Sequence, residues 1–364
     1  MYLNELRQPA GPPLSGPAVT CKIGGMSQRT GLCALAAISF LAALSLTACS
    51  GTEATKAAKL SSEATSPAEP ATPTLAAPAP ATATTAPPAP TPPPTASPPP
   101  AGGLQFKPAQ IAQGGFAIVY LNEAASSATA TFQTRQYPML HDGSRWWTII
   151  GLGAFTQSGL HPVTVLYTPT GRTQSTSVVA SIAVTAREFP VEYIELSQET
   201  AALLAPEIVQ AELAQRAAIY SGYTAQRLWS GPFVPPSKSA TSGIYGEGRS
   251  YNGAPVTDYH RGTDFVGQIG SPVAAAAAGR VVFTGELRVR GGTVMIDHGV
   301  GVFTAYHHLS SVAVAEGQAV AAGQVIGAVG STGVVTGPHL HWEVIVRGVE
   351  VDGQLWLTAE EVKP

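Results

Sequence analysis

Beyond position 103 the chain breaks into short apolar runs separated by turn residues. Phe116-Ala117-Ile118-Val119-Tyr120-Leu121, Trp146-Trp147-Thr148-Ile149-Ile150, Val163-Thr164-Val165-Leu166-Tyr167 and Val178 to Val184 are rich in β-branched and aromatic side chains. Gly, Pro, Asn or Ser bound them, which reads as strands. No helical period interrupts residues 104–187, so this segment is expected to be a small immunoglobulin-like β-sandwich. It must do without a disulfide, because Cys21, Cys33 and Cys49 all lie earlier in the chain. His141 and His161 are isolated here and read as surface residues. The period changes over residues 188–240. Pro206 and Glu207 suit a first helical turn, and Val209, Leu213, Ala217 and Tyr220 recur at helical spacing. That spacing predicts a connecting helix with an apolar stripe. From 241 to 358 glycine-punctuated, valine-rich runs return and predict an antiparallel β domain with tight hairpins. The expected fold class is therefore mostly β: a sandwich, a connecting helix and a C-terminal antiparallel sheet domain.

The first hundred residues are patterned differently. Arg29 supplies the positive charge of a short n-region, followed by an apolar run that ends in Leu46-Thr47-Ala48-Cys49-Ser50. Small residues before a cysteine resemble the lipobox of a bacterial lipoprotein signal peptide, with Cys49 acylated after cleavage. The apolar stretch 31–48 is short for a membrane span, which needs about 20 residues. Residues 1–48 are thus read as leader and signal peptide. Met26-Ser27-Gln28-Arg29 makes a normal short n-region, so Met26 is the expected true start. Residues 49–103 hold the lipidated cysteine and a Pro/Ala/Thr-rich stretch, with fourteen of the 31 prolines between Pro67 and Pro100. Such composition buries too little apolar surface to offset chain entropy and is read as a disordered linker. At about 3.1 Å per residue it could reach on the order of 170 Å. The localisation expected is the cell envelope, anchored by lipid to the outside of the cytoplasmic membrane or to an outer membrane.

Composition narrows the function class. The 364 residues suit two or three domains and carry a formal charge of −3. That balance lacks the basic clusters a nucleic-acid partner requires. Mean hydropathy is +0.14, yet only 31–48 is long, apolar and uncharged, which excludes a multi-span membrane protein.

The chemistry concentrates in the histidines. Six of the eight lie between positions 260 and 341: His260, His298, His307, His308, His339 and His341. His260-Arg261-Gly262-Thr263-Asp264 pairs a histidine with a carboxylate on an extended or looped backbone. In His339-Leu340-His341-Trp342-Glu343-Val344, strand alternation puts His339, His341 and Glu343 on one face and Leu340, Trp342, Val344 and Val346 toward a core. Imidazole and carboxylate are good Zn²⁺ ligands, and a catalytic site keeps three of them plus a water. Alternation also places Thr304, Tyr306 and His308 on one face, with Phe303 and Ala305 opposite, which would bring His308 to the metal's edge as a base. His298 and His307 read as structural. Two histidines and a carboxylate also describe the non-haem iron triad, but the extra histidines and an exported location argue against it. Metal binding at the surface without chemistry is the other alternative.

These pieces resemble a known family. His260-x-x-x-Asp264, Ala305-Tyr306-His307-His308-Leu309-Ser310 and Gly337-Pro338-His339-Leu340-His341-Trp342-Glu343, in that order, are similar to the lysostaphin-type (LytM-domain) zinc metallopeptidases. Gly270-Ser271-Pro272-Val273, Met295-Ile296-Asp297-His298-Gly299 and Gly330-Ser331-Thr332-Gly333 match as well, while Val351-Asp352-Gly353 lacks the proline usual after the aspartate. The resemblance covers about 241–357 and implies a C-terminal LytM-type peptidase domain holding one Zn²⁺. It implies His260, Asp264 and His341 as ligands, and His308 and His339 as catalytic groups beside the bound water. It implies peptidoglycan as the partner, cut at peptide bonds in stem peptides or cross-bridges during wall remodelling. The Tyr306 hydroxyl is a candidate to help hold the developing oxyanion. Glu343 is read first as a strand-face salt bridge, with orientation of a ligand histidine as the second option. The competing expectation is a silent LytM-type activator of a wall amidase. Such members lack zinc ligands, whereas the full set is present here. Latency is a further option, with the stretch from Tyr220 to Ser250 covering the cleft.

Overall fold

A computed structural model describes residues 103–358. The leader, the signal peptide, Met26 as start, Cys49 lipidation and the linker lie outside the described residues. Among those described, no helix is long and apolar enough to cross a membrane.

The expected sandwich forms from two sheets. One runs Leu104–Lys107, Phe116–Leu121, Trp146–Gly151, Leu140–His141. The other runs Gln110–Ala112, Thr176–Thr185, Gly159–Pro169, Ala125–Phe132, Arg135–Pro138. Lettered in chain order, these are the A-B-E-D and G-F-C orders of the immunoglobulin fold, with Gln110–Ala112 running parallel to Thr176–Thr185. Alternation explains the second sheet: Ala180, Ile182 and Val184 are buried, whereas Val179 and Ser181 on either side of Ala180 are exposed. His141 is exposed as expected, but His161 is half-buried beside the Gln157 carbonyl.

Phe116–Leu121 breaks the alternation, because every residue in it is buried. Its first face meets the other sheet of the sandwich, and its second meets the C-terminal domain. There a Cβ on Gly151 would lie 3.0 Å from both Val346 and Val351, so any larger residue would require those side chains to give way. The Phe116 and Trp356 rings lie 4.5 Å apart, and Arg187 Nη1 donates to Asp352 Oδ2 at 2.7 Å. The two domains thus share one hydrophobic core. Trp356→Ala is therefore expected to cost about 3–5 kcal/mol and to lower a single unfolding transition of both domains. Urea unfolding followed by signals from each domain checks this, and two separable transitions would contradict it.

The connector is more than a helix. Val191–Ile194 pairs in parallel with Gly248–Tyr251, which also pairs with Asp258–Tyr259. Two helices follow, Gln198–Ala202 and Pro206–Tyr220, the second with Pro206 in its first turn as expected. Its buried face differs from the predicted stripe. Ala217 is exposed and Val209 and Leu213 are half-buried, while Glu212, Arg216 and Tyr220 are buried. The reason is what the helix meets. Tyr220 joins Phe303 and Ile345 in a small apolar cluster, but the turns before it face charged groups of the C-terminal sheet.

That sheet is ordered Thr241–Gly243, Thr263–Val266, His339–Val346, Val302–Val312, Gly291–Gly299, Gly279–Leu287, Ala319–Val320, all antiparallel. His339–Val346 lies inside it and is covered on both faces. Leu340, Trp342, Val344 and Val346 point into the core as the pattern requires, each fully buried.

Candidate metal centre

Register assembles the site. Asp264 lies directly across from His341, and Val266 across from His339, so the two sequence motifs meet as neighbouring strands. His260, in the turn before Thr263–Val266, closes the third side. His260 Nε2 lies 3.0 Å from Asp264 Oδ1 and 2.9 Å from His341 Nδ1, and His341 Nδ1 lies 2.8 Å from the same Asp264 oxygen. Three potential ligand atoms therefore face a single point.

The outer nitrogens decide what the inner ones can do. His260 Nδ1 lies 2.8 Å from the Ile244 carbonyl, an oxygen that can only accept, so this nitrogen carries the hydrogen. His341 Nε2 likewise donates to Glu343 Oε1 at 3.0 Å. Both tautomers leave a lone pair on the nitrogen that faces Asp264. Two converging lone pairs and a carboxylate suit a cation, and an N/O set of three suits Zn²⁺.

The electrostatics agree. Burial pushes His260 down to about 4, outweighing the Asp264 carboxylate beside it. Asp264 stays well below the usual carboxylate range, because His260 and His341 more than offset its burial. Burial works against a charge on His341, but carboxylates on both its sides overcome that and raise it. Arg249 adds a guanidinium 3.5 Å from the outer oxygen of Asp264, and Glu192 of the connector holds its other end at 3.0 Å.

His308 and His339 flank the cluster, their rings 4.8 Å apart. His308 Nδ1 donates to the Thr332 carbonyl at 2.7 Å and His339 Nδ1 to the Gly337 carbonyl at 2.8 Å, which leaves each Nε2 free to accept. His339 Nε2 is 3.7 Å from Asp264 Oδ1. Burial, with histidine neighbours, keeps the His308 imidazole well below its ordinary value and hence neutral.

His308 arrives by a route that alternation does not describe. Its φ is +61°, in the left-handed region. There the strand's alternation breaks and the side chain turns back to the face of His307 and His341. Tyr306 stays on the opposite, core side. It is fully buried, and its hydroxyl accepts from the Ala276 amide at 2.7 Å and from Thr304 at 2.9 Å. Tyr306 is thus no candidate for an oxyanion. Gly330 serves the turn at His308, since any side chain there would collide with the Ser310 amide and the His308 carbonyl.

His298 is structural, held by the Ala278 carbonyl at 2.8 Å and Thr304 Oγ1 at 2.7 Å. His307 is also fully buried, with Nδ1 2.9 Å from Thr293 Oγ1. Glu343 makes the expected salt bridges, to Arg216 and Arg290, but does so wholly buried behind His341, from whose Nε2 it also accepts. It stays well below the carboxylate range because Arg216 and Arg290 outweigh the cost of burial.

The cluster opens into a cleft of about 400 Å³. Connector residues Ile194, Leu196, Leu204, Val209 and Leu213 form one wall, and Val334 to Pro338 form another. The stretch from Tyr220 to Ser250 does not close over it as one segment, although Ser242 and Arg249 line its edge. Residues 228–234 instead run along the core, where the Leu228 amide meets the His298 carbonyl and Phe233 packs on Trp356. Trp229 and Phe233 are bulky and apolar, and burying them there fixes this path. Glu212, Arg216, Arg249 and Arg290 are the site neighbours that sequence reasoning missed. A Glu-x-x-x-Arg spacing on a helix is the one available signal, and it reads equally well as a surface ion pair.

Residues 258–353 match Peptidase family M23. A stretch of 93 residues is 50% identical to the peptidoglycan DD-endopeptidase ShyA of Vibrio cholerae, covering 26% of this chain and 22% of that protein. It is 48% identical over 93 residues to the DD-carboxypeptidase/endopeptidase Mpg of Neisseria meningitidis, covering 26% and 21%. The chain therefore spans about a fifth of the length of these curated relatives. The crystal structure of a putative peptidase M23 from Pseudomonas aeruginosa superposes with a TM-score of 0.52 at 28% identity. That likeness takes in 68% of this chain and 95% of the other, more than the C-terminal domain alone. With the sheet, the motif order and the family match in agreement, residues 258–353 form a domain similar to those of peptidase family M23.

Proposed function

We propose that the protein is a zinc-dependent metalloendopeptidase that hydrolyses peptide bonds in peptidoglycan stem peptides or cross-bridges, held in the cell envelope by a lipid on Cys49. The observation that carries this reading is the convergence of His260 Nε2, Asp264 Oδ1 and His341 Nδ1 beside two histidines with free Nε2 atoms. His260, Asp264 and His341 hold the metal. Bound there, zinc supplies a Lewis acid for the scissile carbonyl and lowers the pKa of water to about 7.

The chain's own groups manage the protons. His308 Nε2 and His339 Nε2 take one from the attacking water and return one to the leaving amine. His308 is suited to begin as the acceptor because burial keeps it neutral. The cleft walls orient the peptide.

The test is a mass-spectrometric digest of purified peptidoglycan with zinc-loaded Leu104–Pro364, with His341→Ala as control. New amino and carboxyl termini within the peptides, absent from the control, are expected and identify the bond. No products from either protein would overturn the reading in favour of a silent amidase activator or a latent enzyme.

Zinc binding should depend on pH in a definite direction. Without metal, the Asp264 and Glu343 carboxylates outweigh burial and raise His341 above its ordinary pKa, so it holds a proton to higher pH than a free imidazole does. Zinc must displace that proton. Affinity is therefore expected to rise with pH by about tenfold per unit until His341 is deprotonated, and then to level off. Chelator competition across pH 6–9 checks this, and an affinity flat from pH 6 upward would count against it.

A further inference from the structure

The helix Pro206–Tyr220 turns Glu212 and Arg216 inward, four residues apart and both buried. Arg216 is 1% exposed and donates to Glu343, which is 0% exposed. Neither charge has bulk water to solvate it, so each depends on the other. The Glu343 oxygen that faces away from Arg216 accepts from His341 Nε2 at 3.0 Å and from Arg290 Nε at 3.1 Å. Arg290 is gripped in turn by Glu212 at 3.1 Å, and the other Glu212 oxygen accepts the Val289 amide at 2.6 Å. A continuous path thus runs from the helix through Arg216 and Glu343 to His341, whose far nitrogen faces Asp264.

A carboxylate behind a metal-binding imidazole sets its tautomer, its ring orientation and its basicity. It can do so only if something holds the carboxylate itself ionised and in place. We propose that Arg216 is a positioning residue for His341, acting through Glu343, and that the helix preceding the M23-like domain is a working part of the metal site. The proposal rests on the reading of His341 as a ligand. Seating a helix does not call for this charge, since apolar side chains of similar volume do that as well or better. Residues 258–353, which match the family, include Glu343 and Arg290 but not Arg216. The determinant therefore lies outside the region by which the domain is recognised.

The experiment measures Zn²⁺ affinity by chelator competition, and the visible spectrum of the Co²⁺-substituted full chain, for R216M, R216K, E343Q and R216M/E343Q. R216M should bind Zn²⁺ about tenfold more weakly and shift the Co²⁺ bands, and E343Q should lose about 10–100-fold. R216K keeps the charge but not the planar fork, and its loss should be smaller yet measurable. The double variant should bind no more weakly than E343Q alone, because the path is already broken.

Melting of the metal-free proteins reports the fold separately. A lowered melting temperature with unchanged Zn²⁺ affinity and Co²⁺ spectrum would make Arg216 a mere clamp for the helix and overturn the proposal. Additive losses in the double variant would do the same. R216K disturbs the fold least, so an unchanged affinity there overturns the proposal even if R216M does not fold. A wild-type chain that binds no zinc would overturn both this proposal and the peptidase reading. Tight zinc binding without peptidoglycan products would strike only the latter.

Discussion

Alanine at His260, Asp264 or His341 is expected to abolish metal binding and turnover together, whereas alanine at His308 or His339 should abolish turnover alone. The difference follows from geometry. The first three direct Nε2, Oδ1 and Nδ1 at one point, with mutual distances of 2.8–3.0 Å. Removing one leaves two ligands where a catalytic zinc needs three. His308 and His339 stand beside that point, tied by Nδ1 to backbone carbonyls, with Nε2 facing the cluster. Losing a proton-transfer group of this kind costs about 10²–10⁴-fold in rate without emptying the metal site. Metal content measured on each purified variant, alongside peptidoglycan digestion, separates the two classes. Metal lost from His308→Ala or His339→Ala, at unchanged fold, would move that histidine into the ligand set.

Glu343→Ala should destabilise the metal-free protein by about 3–5 kcal/mol, since it leaves a buried charge without its partner. Arg216 is the group left stranded. It is 1% exposed, and its remaining carboxylate, Glu350, is 3.7 Å away. Arginine cannot escape by losing a proton. Arg290 fares better, because it retains Glu212 at 3.1 Å and lines the cleft. Urea unfolding without metal checks the value, and working without metal separates it from any loss of zinc. A cost below about 1 kcal/mol, the scale of a solvated surface pair, would mean that water reaches Arg216. Pairing Glu343→Leu with Arg216→Met should recover most of the loss, because two apolar groups need no mutual neutralisation.

The parts of the molecule legible in the sequence were those governed by local rules. Short β-branched runs between turn residues marked the strands of both domains. The His260-x-x-x-Asp264 and His339-x-His341 spacings marked the residues that converge, because each motif spans only a few positions of extended chain. Single local departures misled. Strand alternation put Tyr306 and His308 on one face, but the left-handed backbone of His308 turns it to the other. Helical spacing put Ala217 on the buried face, which instead follows Glu212, Arg216 and Tyr220. Nothing near Trp229 or Phe233 in the chain reveals that they pack on Trp356 rather than over the cleft.

By itself, then, the sequence determined the class of the fold and the chemistry of the cluster, because periodicity and donor type are properties of neighbouring residues. Only the tertiary structure decided the environment of that cluster. Asp264 faces His341 through a register between strands 77 residues apart, and Arg216 reaches Glu343 across 127 residues. Whether a charge such as Glu343 lies in water or behind a histidine depends on what the whole chain folds over it. That burial fixes its ionisation and its partners, and no local pattern encodes it.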